Sequence, residues 1–423
     1  MKVLHVSYAD KGGGGAIGAY RLHTSMLAQN VDSQLLVIIK RTLDPTVLRV
    51  PAWIRIINKI NRKLSAYILK LQKPEDSLHR SLNIFPTGIW KYINSIDADI
   101  VQLHWINENT VGIPDFKYIQ KPIIWKLPDM WAFSGCEHYP TTSRRPYEGY
   151  SKINRAIVAK GLDLDRLVWL QKRKHWNNLH FTIVSPSRWL AECARSSYLF
   201  QRFPVHNIPN PVNLQIYKPA ADIAKVRQYL KLPYDKKLIM YTSLHDPRKG
   251  YGFLEKCLYR FSKSITPADY KIVIMGYKVP YDSLNGIEII NLGYFHDELD
   301  IAMAYSAVNV CAVPSYADNL PNTIKESMAC GTPCVAFNTG GIPEMITHNV
   351  NGYLVSVNDI DDFCNGLNWI LTGNYPAIST AAREAACKFH DPEVIIKKYV
   401  ALYNDVITNS SCPKTFFPAA EHN

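Results

Sequence analysis

The sequence predicts an α/β fold of two successive doubly wound units, each a parallel sheet covered by helices on both faces. Three observations lead there. Short β-branched runs alternate with helical stretches, a pattern that gives parallel sheets. The strand-to-loop pattern of the first half begins again near residue 237. The 423 residues suit two domains of roughly 100–200 residues each. With 47% hydrophobic and 20% charged residues, the chain can fill two cores and is too apolar for disorder.

The first strand is Val3–Ser7. It runs into Gly12–Gly15 and a helix from about Ala16, and reads as the start of a fold rather than a signal peptide. Gln34–Ile39, Ile100–His104, Pro122–Leu127 and Phe181–Ser185 follow as short buried strands. The two prolines of Asn207–Asn213 interrupt any regular element and mark the join. Lys237–Ser243, Lys271–Gly276, Ile287–Leu292, Val308–Val313 and Cys334–Phe337 form the second series. Asp391–Asp405 reads as a last helix, followed by a loose tail over 409–423. The expected divisions are 1–208, 209–388 and a terminal segment 389–423.

Charge separates the halves. Residues 1–210 carry 29 Lys and Arg against 15 Asp and Glu, whereas residues 211–423 carry 19 against 21. A basic first half suits an anionic partner. Within it, residues 52–73 place Trp53, Ile56, Ile57, Ile60, Leu64, Tyr67, Ile68 and Leu71 on one face of a helix. Arg55, Lys59, Arg62, Lys63, Lys70 and Lys73 lie mostly off that face, and Pro51 and Pro74 stand at the ends. Such a helix either lies in a bilayer interface or turns its apolar face to the core; periodicity reads the same in both cases. No run of 18 apolar residues exists, so no spanning helix is expected. The nine cysteines are scattered and lack zinc spacing, which favours a reducing compartment and no metal site.

Chemistry concentrates in PSYADNLPNTIKESMACGTPCVAFNTGG, residues 314–341. A strand ends in a loop and a helix begins near Pro321, offering free backbone N–H groups to a phosphate. Asp318 and Glu326 can accept hydrogen bonds from sugar hydroxyls, and Gly340–Gly341 permit close backbone approach. Upstream, adjacent Arg248 and Lys249 can neutralise a diphosphate. Gly12–Gly15 lacks the full G-x-G-x-x-G form, so dinucleotide binding has little support.

The 314–341 string resembles the donor-site motif of the family-four retaining nucleotide-sugar glycosyltransferases, of the GT-B fold. WKLPDMWAFSGCEHYP (residues 125–140) resembles text of bacterial exopolysaccharide, colanic-acid and O-antigen enzymes of that family. The resemblance implies two Rossmann-like domains facing a cleft, with the C-terminal helix returning to the first. It implies roles for Glu326 at the ribose, Asp318 near the transferred sugar, and the N–H groups of Asn319 and Leu320 at the sugar or distal phosphate. Gly14, Gly15, Asn210, Gly293 and Tyr294 would also meet the donor. His104, Arg248, Lys249 and Asp318 would be catalytic, Asp129, Trp131 and His138 would face the acceptor, and Ser187 and Arg188 would line the cleft. Three positions depart from the pattern: Asp318 replaces Glu, Leu244 replaces a basic residue, and Pro128 replaces His.

The implied reaction moves a hexose from a UDP- or GDP-sugar to a saccharide with retention of configuration, without metal or other cofactor. A lipid-diphosphate-linked acceptor at the anionic cytoplasmic face of the inner membrane suits the basic half, in surface polysaccharide synthesis such as that of lipopolysaccharide. A catalytically silent subunit of this type, or a basic nucleic-acid-binding protein, are the competing readings. The second lacks any recognisable nucleic-acid motif.

Overall fold

A computed structural model describes residues 1–74, 78–242, 246–276 and 279–411. Leu244 and the expected loose tail lie outside the described residues, apart from the tail's first residues, which continue the last helix.

The first sheet comprises β1 (Lys2–Ala9), β2 (Asp32–Ile39), β3 (Val47–Arg49), β4 (Ile100–Leu103), β5 (Ile123–Lys126), β6 (Thr182–Ser185) and β7 (Val205–Asn207). Its order is β3-β2-β1-β4-β5-β6-β7, all parallel. The second comprises β8 (Lys237–Thr242), β9 (Tyr270–Met275), β10 (Ser283–Leu284), β11 (Ile287–Gly293), β12 (Val310–Val313), β13 (Cys334–Phe337) and β14 (Gly352–Val355). Its order is β10-β11-β9-β8-β12-β13-β14, parallel except for β10 against β11. Strand order reverses between β1 and β4 in one sheet and between β8 and β12 in the other. Open α/β sheets bind ligands at such switch points.

The central strands form because both faces are covered. Ile124, Trp125, Val310 and Val335, for example, are all buried. Trp125 anchors an aromatic cluster with Phe116, Trp131, Trp176, Phe181 and Phe200. The strands β3, β7, β10 and β14 depart from the sequence reading; each is short and lies at a sheet edge, where polar or half-buried residues replace the continuous apolar run of the central strands.

Helix α1 (Gly14–Leu27) follows β1 and lines the cleft, and α2 is Ala52–Leu69. The helix expected over 52–73 thus stops at Leu69, and Gln72–Lys73 pair antiparallel with Lys160–Gly161. The buried residues of α2 are Ile54, Asn58, Asn61 and Ser65. The amide of Asn58 donates to the Glu108 and Asn109 carbonyls at 2.7 and 2.8 Å, and that of Asn61 to the Pro86 carbonyl at 3.1 Å. The apolar stripe faces outward: Ile56 is 60% exposed and Tyr67 76%. Ile57 and Ile68, on the edge of that stripe, are half-buried, and Ile68 packs on the first core with Ile54.

Helices α3 (Arg188–Ser196) and α4 (Asn322–Ala329) flank the cleft from opposite units. Helix α5 (Tyr375–His390) belongs to the second unit, with Ile346, Ala382 and Ala386 in its core. Helix α6 (Pro392–Ser411) crosses back to the first. There Ile395, Ile396, Tyr399 and Tyr403 pack on Val3, Leu22 and Met26. The chain thus passes between units near residues 208–212 and again near 390–392. The two passages are bonded: the Val212 N–H donates to the His390 carbonyl at 3.1 Å, and His390 Nδ1 donates to the Asn210 carbonyl at 2.9 Å.

Candidate active site in the interdomain cleft

The loops after β1, β4, β8 and β12 enclose a cavity of about 500 Å³ between the units. That volume lies in the ordinary range for a small-molecule site. It is lined by Gly14, Gly15, His104, Asp129, Asn210, Arg248, Lys249, Tyr294, Asp318, Asn319, Leu320 and Glu326, among others.

Asp318 is the electrostatic centre. Burial opposes its charge, but Lys249 and Arg248 outweigh that and hold its carboxyl below the usual range. Lys249 Nζ donates to Asp318 Oδ2 at 2.5 Å, and Arg248 Nη1 lies 3.4 Å from the same oxygen. Arg248 is further fixed by Asp246 at 2.9 Å, by the Ala317 carbonyl, and by the Tyr139 ring 4.6 Å from its guanidinium carbon. Two cations from one loop therefore meet one carboxylate from the next. Pro321 caps α4, whose first two residues, Asn322 and Thr323, line the cavity, while the Ile324 N–H donates to the Pro321 carbonyl at 3.2 Å. Gly14 faces the same helix start: a Cβ there would lie 3.5 Å from Asn322 Nδ2.

Several expectations change. The Asn319 N–H donates to Asp318 Oδ1 at 3.0 Å, so it is already engaged. Gly340 and Gly341 close on protein rather than on a ligand. At Gly340, with φ +58°, a Cβ would sit 2.0 Å from the Asp318 carbonyl oxygen, and at Gly341 equally close to that of Asn319. Gly293 lies outside the lining; its carbonyl accepts from the Gly276 N–H at 2.7 Å, and Gly276 lines the cleft instead. Trp131 is not an acceptor-side group. It is buried in the first core, its indole donating to the Ser81 carbonyl at 2.8 Å. His138 is also buried off the cavity and orients Asp129, Nδ1 to Oδ2 at 2.7 Å. Ser187 and Arg188 do not line the cavity but join the units across it. Ser187 Oγ bonds Asn319 Oδ1 at 2.5 Å, and the Arg188 N–H donates to Glu344 at 2.8 Å.

Glu326 is engaged as well, through a residue the sequence did not flag. Arg21 of α1 donates to Glu326 Oε1 at 2.6 Å, to the Tyr217 hydroxyl at 2.7 Å and to Glu298 Oε1 at 2.8 Å. Burial works against the Arg21 charge, yet Glu326, Tyr217 and Glu298 raise its pKa further. His104 Nε2 and His5 Nδ1 are hydrogen-bonded at 2.8 Å. Burial, then the Lys126 charge, keep His104 neutral at physiological pH.

Asp-x-Asp triplets, a common metal-binding text, occur at Asp97–Asp99, Asp163–Asp165 and Asp359–Asp361, and none of these carboxylates lines the cleft. Among the described residues one trio, Cys136, Glu137 and Asp165, brings potential ligand atoms within 4.8 Å of one another. It also lies off the lining, where burial and then Asp165 push Glu137 up to about 8.

Two parallel-sheet units of this kind, with switch-point loops meeting at one cleft, define the GT-B architecture. Comparison with known proteins agrees. Residues 235–373 match the model of the family "Glycosyl transferases group 1". The chain is similar to D-inositol 3-phosphate glycosyltransferase of Mycolicibacterium smegmatis, 26% identical over 212 residues, 46% of each chain. It therefore spans about half the length of the curated relatives it matches. In fold it is similar to sucrose-phosphate synthase from Thermosynechococcus elongatus, with TM-score 0.67, 18% identity, and 97% of this chain and 100% of that one covered. It is also similar to Anabaena Alr3699/HepE in complex with UDP-glucose, with TM-score 0.64, 17% identity, and 96% and 100% covered.

Proposed function

We propose that this chain is a retaining glycosyltransferase that moves a hexose from a UDP- or GDP-sugar to a saccharide hydroxyl. The observation that carries the reading is the meeting of Arg248, Lys249, Asp318 and the α4 N-terminus in one cavity between two Rossmann-like units. In the reaction the bond from the sugar's anomeric carbon to the diphosphate oxygen breaks, leaving negative charge on the diphosphate. Arg248, Lys249 and the helix start are positioned to stabilise that charge. The diphosphate competes with Asp318 for both cations, which frees the Asp318 carboxylate to accept from a sugar hydroxyl. The acceptor's oxygen attacks from the leaving-group side, its proton passing to the departing phosphate oxygen, and configuration is retained. Fixed cations take the place of a metal in this scheme.

The test is a thermal-shift screen against UDP, GDP and their sugars, with and without EDTA. A ligand at 100 times its Kd stabilises by about 2.7 kcal/mol. A rise with one nucleotide class, unchanged by EDTA, is expected. No rise with any of them refutes the reading.

The acceptor in this proposal is lipid-linked, at an anionic membrane surface. What supports it is the outward stripe of α2 and its neighbour. Trp53, Ile56, Ile60, Leu64 and Tyr67 are exposed beside Lys59, Lys63 and Lys70. The segment tied to the end of α2 through Lys160–Gly161 adds Ile153, 96% exposed, and Ile157, fully exposed, with Lys152 and Lys160. Apolar side chains ringed by lysines match an anionic bilayer interface. Among the described residues no helix is long and apolar enough to cross a membrane. Replacing Lys59, Arg62 and Lys63 by Glu is expected to abolish flotation with anionic liposomes, and unchanged flotation refutes the membrane placement.

A further inference from the structure

The floor of the cleft, where β4 and β5 end and the chain first crosses between units, is lined by His104, Lys126 and Asn210. Each has bonding capacity to spare. Lys126 is 4% exposed, and its ammonium donates to one acceptor, the Gly18 carbonyl, at 3.1 Å. An ammonium carries three donors. His104 Nδ1 and Asn210 Oδ1 are buried without a hydrogen-bond partner. These groups are close together. A Cβ built on Gly18 would lie 3.6 Å from Lys126 Nζ and 3.8 Å from Asn210 Nδ2.

Charge pairing makes Lys126 stand out. The other cations lining the cleft, Arg248 and Lys249, both hold Asp318. Of the remaining carboxylates on the lining, Asp129 is held by His138, Glu326 by Arg21 and Asp246 by Arg248. Among the described residues no carboxylate forms an ion pair with Lys126. Lys325 of α4 is also buried with its Nζ unpartnered, and burial, then the Arg21 charge, push it well below the usual lysine range, so the ring of groups around Lys126 supplies no counter-charge. Burial pushes Lys126 down to about 7, as expected of an ammonium held away from water without a counter-charge. A buried cation of this kind is costly unless something pairs it.

We infer that this floor is a subsite for an anionic substituent, a carboxylate or a phosphate, carried by one of the two sugars that meet in the cleft. Lys126 pairs with the anion, and His104 Nδ1 and Asn210 Oδ1 bond adjacent hydroxyls. The inference rests on the glycosyl-transfer reading and deepens it, because it makes one substrate an acidic sugar. The transferred sugar or the acceptor can be the source.

The test measures binding to the full chain by calorimetry in two arms. The donor arm compares UDP-glucose with UDP-glucuronate and GDP-mannose with GDP-mannuronate. The acceptor arm compares glucose with glucuronate and glucose 6-phosphate, with and without saturating UDP or GDP. In one arm the acidic ligand is expected to bind at least tenfold more tightly than its neutral counterpart. That preference is expected to fall to within twofold in Lys126→Met and in Lys126→Gln, with UDP or GDP affinity serving as the folding control. Preference in the donor arm assigns the anion to the transferred sugar, and preference in the acceptor arm assigns it to the acceptor. No acidic preference in either arm, or a preference that survives both variants, overturns the subsite. Failure of every nucleotide to bind refutes glycosyl transfer instead, and the nucleotide-free acceptor arm still decides the subsite.

Discussion

Replacing Arg21 by Met tests what holds the two units in register. Arg21 and Glu326 are each more than nine-tenths buried and come from opposite sides of the cleft. Losing the guanidinium leaves the Glu326 carboxylate buried without a cation, and breaking a buried pair from one side costs about 3–5 kcal/mol. At a urea slope of roughly 2–3 kcal/mol/M, the unfolding midpoint falls by about 1–2.5 M. Glu326→Gln is milder, about 1–2 kcal/mol, because Arg21 keeps Glu298 and the Tyr217 hydroxyl and gains the glutamine carbonyl. Combining Arg21→Met with Glu326→Leu removes both charges and is expected to recover most of the loss. The assay is equilibrium urea unfolding followed by tryptophan fluorescence and far-UV circular dichroism. An Arg21→Met protein within 1 kcal/mol of the parent, or a double variant no better than Arg21→Met alone, refutes the reasoning.

Other outcomes follow from the same geometry. Burial lowers His23 to about 4 and His390 to about 3, and drives His5 and His104 well below 6.5. Unfolding lets these rings take protons near pH 6.5, so their contribution is complete above 6.5 and shrinks as pH falls toward 4. His23 alone carries up to about 3 kcal/mol of that change. Melting temperature is expected to drop between pH 6.5 and 4.5, and a flat or rising profile contradicts the burial argument. Gly340→Ala places a Cβ against the Asp318 carbonyl at positive φ, so it should cost about 1–3 kcal/mol and weaken nucleotide-sugar binding, read by thermal melt and calorimetry. Arg248→Met should lower turnover by roughly 10²–10³-fold, as removal of a charge-stabilising group does elsewhere; equal kcat would dismiss the clamp. Ile56→Ser and Tyr67→Ser should leave stability within about 0.5 kcal/mol, since both side chains face solvent. A larger loss in urea unfolding would mean that the face is covered.

Both sheets were legible because their central strands are continuous apolar runs between loop residues, and burial on two faces produces that text. The Asp318–Glu326 loop was legible for a similar local reason: strand, loop, helix start and both carboxylates lie within a few turns of chain. What the sequence hid are partners distant along it. Arg21 looks like a solvated residue of α1, and Glu326, its partner, stands 305 positions away. Trp131 lies in text that resembles an acceptor site, but the space around Trp125 and Trp176 takes its ring into the core. The direction of α2 is written in its polar residues. Asn58, Asn61 and Ser65 form a separate stripe of uncharged hydrogen-bonding residues, turned well away from the exposed apolar one, and such residues suit a face that meets backbone carbonyls. Lys126 gave no signal, since a lysine in a strand is ambiguous until its neighbours are known.

The paired passages at Asn210–Val212 and His390 set what the two units can do relative to each other. A single connecting segment would let one unit swivel in any direction about a point. Two segments bonded side by side define a line, and rotation is confined to swinging about it. A swing about that line would carry the loops with Arg248, Lys249 and Asp318 toward or away from Gly14 along a single arc. Cutting the chain after His390 would remove α6 and one of the two straps. The remaining protein would keep its cations and carboxylates but lose the fixed axis that brings them back to the same place.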